Sequence, residues 1–337
     1  MIHGHGDDLY RSSQMVKANF STNVWYGADA NLLCKLLEKS MDKVLHYPEP
    51  DAGEFVKVAA AYHGLRPENI LAGNGATELF YLIAHAFAGG RTVIPVPSFT
   101  EYEDACGLYE HELLFVSPLD IEAIPEDVRL MFLCNPNNPD GSIWREEEIA
   151  RILHNNPDLT LVVDESFIHF APEIGSACGL LEQYPNLLVV RSMTKSYAMP
   201  GLRLGYMLGN PELIKYIAGF KQPWSVNALA IEAGKYFLEQ GTAFLPDASD
   251  LLGRQKYFSS EIAKIPGFCP LESHTSFFLV RTRYDSVSLK EYLLEKHGLL
   301  IRDASNFRGL DHHYFRVNTL PDEKNRLLTD ALSAYES

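Results

Sequence analysis

The chain has 337 residues, 46% of them hydrophobic and 22% charged, which is too apolar for a disordered chain and enough for a sizeable core. Single cores stop growing at about 250–300 residues, so two closely joined domains are expected. A net charge of −15 disfavours nucleic acid as a partner but leaves room for a small anion held by a few local arginines. No stretch approaches the ~18 apolar residues of a membrane span, so no membrane partner is expected. The start of the chain lacks a cationic region followed by an apolar one. The five cysteines (Cys34, Cys106, Cys134, Cys178 and Cys269) are spaced for neither a disulfide framework nor a metal site. A cytoplasmic protein with no metal is the expectation.

Residues 1–45 carry no strand-like run and are expected to form an N-terminal arm that joins part of a small domain. From about residue 71 to 208 short apolar runs alternate with helical patterns. The runs are residues 91–95, 112–116, 130–134, 159–163, 187–191 and 204–208. Near-continuous hydrophobic strands separated by helices imply a largely parallel sheet buried on both faces, in an α/β protein. Residues 146–153 read as one crossover helix, with Glu146, Glu147 and Glu148 in its first turn where the helix dipole favours them. After Pro223 a helix over about 228–239 is followed by short strands at 276–280, 299–302 and 314–317, with a helical pattern over 289–297. That mixture predicts a smaller α+β domain. The expected division is 1–45, a large domain over 46–225 and a small C-terminal domain over 226–337. The site should then lie at the carboxyl ends of the parallel strands, in the crevice between the domains.

Four segments carry chemistry. In Val189–Tyr206, Lys195 follows an apolar strand among the hydroxyls of Ser192, Thr194 and Ser196, with Arg203 eight residues on. A partly desolvated amine at a strand end suits a Schiff-base lysine, and the hydroxyls with the arginine fork suit a phosphate. A plain surface loop is the competing reading. Asp164 and Glu165 end another apolar strand; a buried carboxylate needs a positive partner such as a protonated pyridine nitrogen, although Asp164 could simply cap a helix. The turn from Asn135 to Gly141 places Asn138 to offer an amide to a ring oxygen. Finally, the glycine turn with Gly75, Ala76 and Thr77 opens a helix toward a phosphate. Glu78 stands where the dinucleotide fingerprint requires its third glycine, which weakens a dehydrogenase reading. Phe99, after the next strand, could stack on a flat cofactor or be an ordinary core ring. Amine, ring-nitrogen acid, oxygen donor, stacking ring and phosphate cup together suit pyridoxal 5′-phosphate.

These motifs, with Gly201-Leu-Arg203-Leu-Gly205-Tyr206, resemble the fold-type I pyridoxal-phosphate enzymes of aminotransferase class I/II across nearly the whole chain. The resemblance implies the PLP-dependent transferase type I fold, with a mostly parallel seven-stranded sheet in the large domain and a smaller α+β domain. It makes Lys195 the cofactor-binding lysine and general acid/base. Asp164 would pair with the pyridine nitrogen, Asn138 with O3′, and Phe99 would stack on the ring. Gly75, Ala76, Thr77, Ser192 and Arg203 would hold the phosphate. Tyr47 resembles the tyrosine that reaches the neighbouring subunit's cofactor phosphate, which implies a homodimer.

Two branches of the class compete. Histidinol-phosphate aminotransferases are one. Threonine-phosphate decarboxylases are the other, and the segments around Phe20–Asn23, 222–230 and 300–316 look more like them, as do Phe99 and Phe167. The resemblance then makes His5, Gly6, Asn23, Asn138, Arg302 and Arg316 the binders of a small phosphorylated amino acid. The implied reaction is decarboxylation of L-threonine O-3-phosphate to (R)-1-aminopropan-2-yl phosphate, in cobalamin biosynthesis. Transamination with 2-oxoglutarate is the alternative, and a non-catalytic pyridoxal-phosphate-binding protein a remote one. The chain departs from the family pattern at Asp140, where threonine is usual, and over Val24–Gly27. His312-His313 looks metal-like but reads as a solvated turn.

Overall fold

The structure is a computed structural model and describes residues 14–335. In chain order it runs β1 (Ala18–Asn19), α1 (Ala30–Lys39), α2 (Gly53–His63), β2 (Ile70–Gly73), α3 (Gly75–Ala86), β3 (Arg91–Pro95), α4 (Glu101–Leu108), β4 (Glu112–Val116), β5 (Leu130–Cys134) and α5 (Glu146–Asn155). Then follow β6 (Thr160–Asp164), β7 (Leu187–Ser192), β8 (Gly205–Gly209), α6 (Pro211–Ala218), α7 (Ala228–Glu239), α8 (Ala248–Ala263), β9 (Phe268–Pro270) and β10 (Phe277–Thr282). The last elements are α9 (Ser286–Tyr292), β11 (Leu299–Leu300), β12 (Arg302–Asp303), β13 (Tyr314–Asn318) and α10 (Asp322–Ser333).

Seven strands form one sheet in the order β2-β8-β7-β6-β5-β3-β4. β4, β3, β5, β6 and β7 run parallel, while β8 pairs antiparallel with both β7 and β2. The central strands β5 and β6 are buried along their whole length, as their unbroken apolar runs require. Two cores cover the two faces. Phe55, Leu133, Val163, Val189 and Phe237 belong to one, and Phe80, Tyr102, Phe132, Val162 and Val190 to the other. β12, β13, β10 and β9 make a second, antiparallel sheet with its own core around Phe258, Phe278, Phe315 and Leu328. Within the arm, β1 pairs parallel with β11.

Several elements differ from the sequence-based expectation. β2 and β9 escape a strand reading because each is only three or four residues long. The expected strand over 299–302 is broken at Ile301 into β11 and β12, which join different sheets. Helix α7, assigned by its position to the small C-terminal domain, packs Ala230, Ile231, Ala233 and Phe237 into the core of the large sheet. Its apolar stripe fits the face that α2 leaves uncovered, and Gly234 permits that approach: a Cβ there would lie 2.7 Å from the Phe55 ring.

One contact in this frame places the site. The N-terminus of α3 abuts the start of β8, where a Cβ on Gly205 would lie 2.5 Å from the Ala76 nitrogen and 2.9 Å from the Arg191 carbonyl oxygen. Both are backbone atoms that cannot swing aside. We expect Gly205→Ala to cost about 1–3 kcal/mol through overpacking. A lowered urea-unfolding midpoint is the expected result, and an unchanged midpoint would contradict this packing.

Candidate active site

A cavity of about 240 Å³ lies between the two sheets, at the carboxyl ends of β5, β6 and β7. Asn23, Ala76, Thr77, Phe99, Asn138, Asp164, Ser192, Lys195, Arg203, Arg302 and Arg316 all line it. Gly75 stands directly behind Arg203, where a Cβ would come within 2.5 Å of the guanidinium. Tyr47 lies outside this cavity, 88% exposed, with its ring 5.5 Å from that of Trp224. His5 and Gly6 lie outside the described residues.

The phosphate-cup candidates come together at one end. Asn74 makes no side-chain cap on α3, so the first-turn amides from Gly75 to Thr77 have no side-chain acceptor from the N-cap residue. Gly75 takes a φ of +80° and Arg203 a φ of +58°. A positive φ is uncommon for a non-glycine residue and costs of order 1 kcal/mol or more. The strained turn is pinned by Arg203 donating to the Pro200 carbonyl at 3.2 Å.

Asp164 ends β6 almost fully buried. Its Oδ1 accepts from the Ser166 amide (2.9 Å) and hydroxyl (2.6 Å), and its Oδ2 from the Tyr102 hydroxyl at 2.5 Å. Burial pushes its pKa up, while the Ser166 and Tyr102 donors and the charge of Lys195 oppose that push. The Lys195 ammonium sits 5.7 Å from the centre of the Phe167 ring. The Lys195 carbonyl accepts from the Trp25 amide at 3.1 Å, which ties the arm to the lysine loop. Trp25 also packs against the cluster of Phe167, Phe170, Leu251 and Phe277, and Val24 lines the crevice.

Opposite these groups, β12 and β13 place Arg302 directly across from Arg316. Both are buried. Arg316 donates to Asn138 Oδ1 and, at 2.7 Å, to the Ser21 carbonyl; its Nε has no hydrogen-bond partner among the described residues. Accepting from Arg316 fixes the Asn138 amide, so that its Nδ2 is left to donate. Burial first, and the charge of Arg302 second, push Arg316 down to about 9. Neither Oδ1 nor Nδ2 of the buried Asn23 has a partner among the described residues. Asn23 lines the cavity, so its amide is open to a group bound there. Asp140 turns inward to take Asn137 Nδ2 (2.8 Å) and the Ser142 amide (3.0 Å), which staples the turn that carries Asn138.

A buried network joins the Asp164 turn to the Lys195 loop from beneath. Glu165 ion-pairs with Arg191 at 2.9 Å and accepts from the Ala177 amide and the Ser176 hydroxyl. Arg191 also reaches His169 Nε2 at 3.4 Å, and His169 Nδ1 meets the Ser196 hydroxyl at 2.9 Å. Arginine only donates, so Nε2 accepts and Nδ1–H points to Ser196, next to Lys195. Sequence reading passed over Tyr102, Ser166 and this network. Tyr102 stands three residues after Phe99, a helical spacing that was available as a signal; nothing local marks His169 or Arg191.

A crevice that gathers an amine, a buried carboxylate and paired cations at strand ends belongs to an α/β enzyme working with an anionic cofactor. Residues 16–332 match Aminotransferase class I and II, and the chain belongs to that family. The structure of L-threonine-O-3-phosphate decarboxylase from Porphyromonas gingivalis matches with a TM-score of 0.91 at 41% identity, covering 94% of this chain and 98% of that one. Threonine-phosphate decarboxylase of Salmonella typhimurium is 30% identical over 311 residues, 88% of this chain and 85% of the relative. Histidinol-phosphate aminotransferase 1 of Carboxydothermus hydrogenoformans is 32% identical over 298 residues, 85% of this chain and 83% of the relative. The cofactor is pyridoxal 5′-phosphate. The residues present fit it: open amides and Arg203 for a phosphate, a buried carboxylate for a cationic ring nitrogen, and an amine on the same cavity.

His169, held next to Arg191, and His63, which shares a 2.9 Å hydrogen bond with Tyr206, are pushed down to about 3, mainly by burial. Unfolded histidine binds a proton near pH 6.5, so the stability these neutral rings contribute is complete above that pH and is lost as pH falls toward 3. Each histidine should therefore remove about 1.4 kcal/mol per pH unit below ~6.5. In urea titrations between about pH 7 and pH 5, His169→Gln is expected to show a shallower loss than the unmodified chain. Parallel pH profiles would contradict the assignment.

Proposed function

We propose that the chain decarboxylates L-threonine O-3-phosphate to (R)-1-aminopropan-2-yl phosphate, a step in cobalamin biosynthesis. The observation that carries the reading is the in-register pair of buried guanidiniums, Arg302 and Arg316, beside the unpartnered amide of Asn23. Two like charges held side by side call for a ligand with two anionic groups, and arginine's fork suits both carboxylate and phosphate. The likeness to the Porphyromonas gingivalis decarboxylase supports the choice among such ligands.

When bound, pyridoxal phosphate supplies an electron sink that takes up the electron pair left when a bond at the substrate's Cα breaks. The residues of the chain do the rest. Gly75, Ala76, Thr77, Ser192 and Arg203 hold the phosphate, and Phe99 flanks the ring. Asp164, a carboxylate held by Ser166 and Tyr102, would accept from the protonated ring nitrogen. Lys195, whose amine lines the same cavity, would be the residue that holds the cofactor covalently and would serve as the proton donor to the substrate's Cα. Arg316 grips the substrate carboxylate while orienting the Asn138 amide toward O3′. Arg302, with the N-terminal residues His5 and Gly6, takes the substrate phosphate. Where Arg302, Arg316 and Asn23 hold the substrate's anionic groups would decide between loss of CO2 and loss of a proton.

Tyr47 belongs to an exposed apolar surface with Met41, Val44, Leu45 and Trp224. A patch of this kind marks an interface. In our reading a second copy covers it and Tyr47 reaches that copy's phosphate cup, as a cytoplasmic homodimer. No helix among the described residues is long and apolar enough to cross a membrane.

Incubation of the reconstituted protein with phosphothreonine should release CO2 without any keto acid, at a sedimentation mass of two chains. Steady glutamate from 2-oxoglutarate and histidinol phosphate would instead establish the aminotransferase. Arg316→Ala, which leaves the substrate carboxylate without its partner, should lower kcat/KM by about 100-fold or more. Unchanged kinetics would remove Arg316 from the site.

A further inference from the structure

Tyr102 reaches Asp164 from another element and is held rigidly. Its ring stacks on Phe132 at 5.0 Å and 7°, and meets Phe80 edge-on at 4.9 Å and Phe99 at 5.6 Å. Of these four rings only Tyr102 carries a hydroxyl, and that hydroxyl donates to Asp164 Oδ2. Packing alone would be served equally well by phenylalanine. The two Ser166 donors on Oδ1 belong to the same turn as Asp164 and move with it; the Tyr102 donor does not.

We propose that Tyr102 is a positioning residue that fixes where the proton between Asp164 and the cofactor's ring nitrogen resides. The inference rests on the reading of Asp164 given above. A carboxylate that accepts a strong hydrogen bond is a weaker base. With the Tyr102 hydroxyl in place, Asp164 stays ionised and the proton stays on nitrogen. Without it, the N–H bond breaks, an O–H bond forms on Asp164, and a pyridinium–carboxylate pair becomes a neutral pyridine beside a carboxylic acid. The ring then draws electrons less strongly. Tyr102 does not compete for that proton, because burial and the adjacent Asp164 charge push its own pKa far above the ordinary tyrosine range. Arg302 and Arg316 belong to the other sheet, so substrate binding is not involved.

The test uses the holoenzyme reconstituted with cofactor carrying ¹⁵N in the ring, whose chemical shift reports protonation. In the unmodified protein the shift should be that of a protonated nitrogen. Tyr102→Phe should move it toward the neutral value and lower kcat about tenfold, the size of one pKa unit, with KM changed less than about twofold. Should that variant fail to fold, 4-aminophenylalanine at position 102 fills the same space with a weaker donor and must move the shift in the same direction. A shift and kcat that stay at the unmodified values in the folded variant overturn the role of Tyr102. A neutral nitrogen in the unmodified protein, or a shift indifferent to Asp164→Asn, overturns the reading of Asp164 instead.

Discussion

A carboxylate at the buried end of an apolar strand is the constraint on which this molecule turns. Transfer of Asp164 out of water costs several kcal/mol unless donors and positive charge meet it. The fold meets it from three directions: Ser166 from its own turn, Tyr102 from α4, and the charge of Lys195 from the loop after β7. In the proposed reading a cationic ring nitrogen completes the balance. The sheet order matters for this reason. β6 lies between β5 and β7, so the turns bearing Asn138, Asp164 and Lys195 emerge side by side.

The facing sheet poses the opposite problem. Arg302 and Arg316 are neighbours across β12 and β13, and the charge of Arg302 acts against that of Arg316. Arg316 also donates to Asn138, so in the proposed reading the group that meets the substrate's charge orients the group facing the cofactor. The bidentate contact of Arg308 with Glu103, over the Phe115 ring, fastens the loop carrying Phe307 to the large sheet at the same crevice. Positive charge thus lines one wall of the crevice and a buried carboxylate the other.

Much of this was legible in the sequence. Unbroken apolar runs such as Leu130–Cys134 and Leu187–Arg191 announce strands buried on both faces, and each is followed by a polar cluster that falls at the cavity. Short or edge elements were not legible. β2 is hidden in a glycine-rich turn, and β11 and β12 read as one strand because the break at Ile301 carries no proline or glycine. The location of α7 was also out of reach, since an amphipathic stripe says that a face is buried but not against what. Long-range polar partners were the largest omission. The Glu165–Arg191–His169–Ser196 network joins residues up to 31 positions apart; Arg191 and Glu165 fall on or next to apolar strands, but nothing local shows that they pair with each other or with His169.

The central claim is that the amine of Lys195 forms a covalent bond to pyridoxal phosphate in this crevice. Borohydride reduction of the reconstituted protein, followed by peptide mass spectrometry, tests it directly. The account predicts a single stable pyridoxyl adduct on Lys195 and its absence in Lys195→Ala. An unmodified Lys195, or an adduct located on a different lysine, would contradict it.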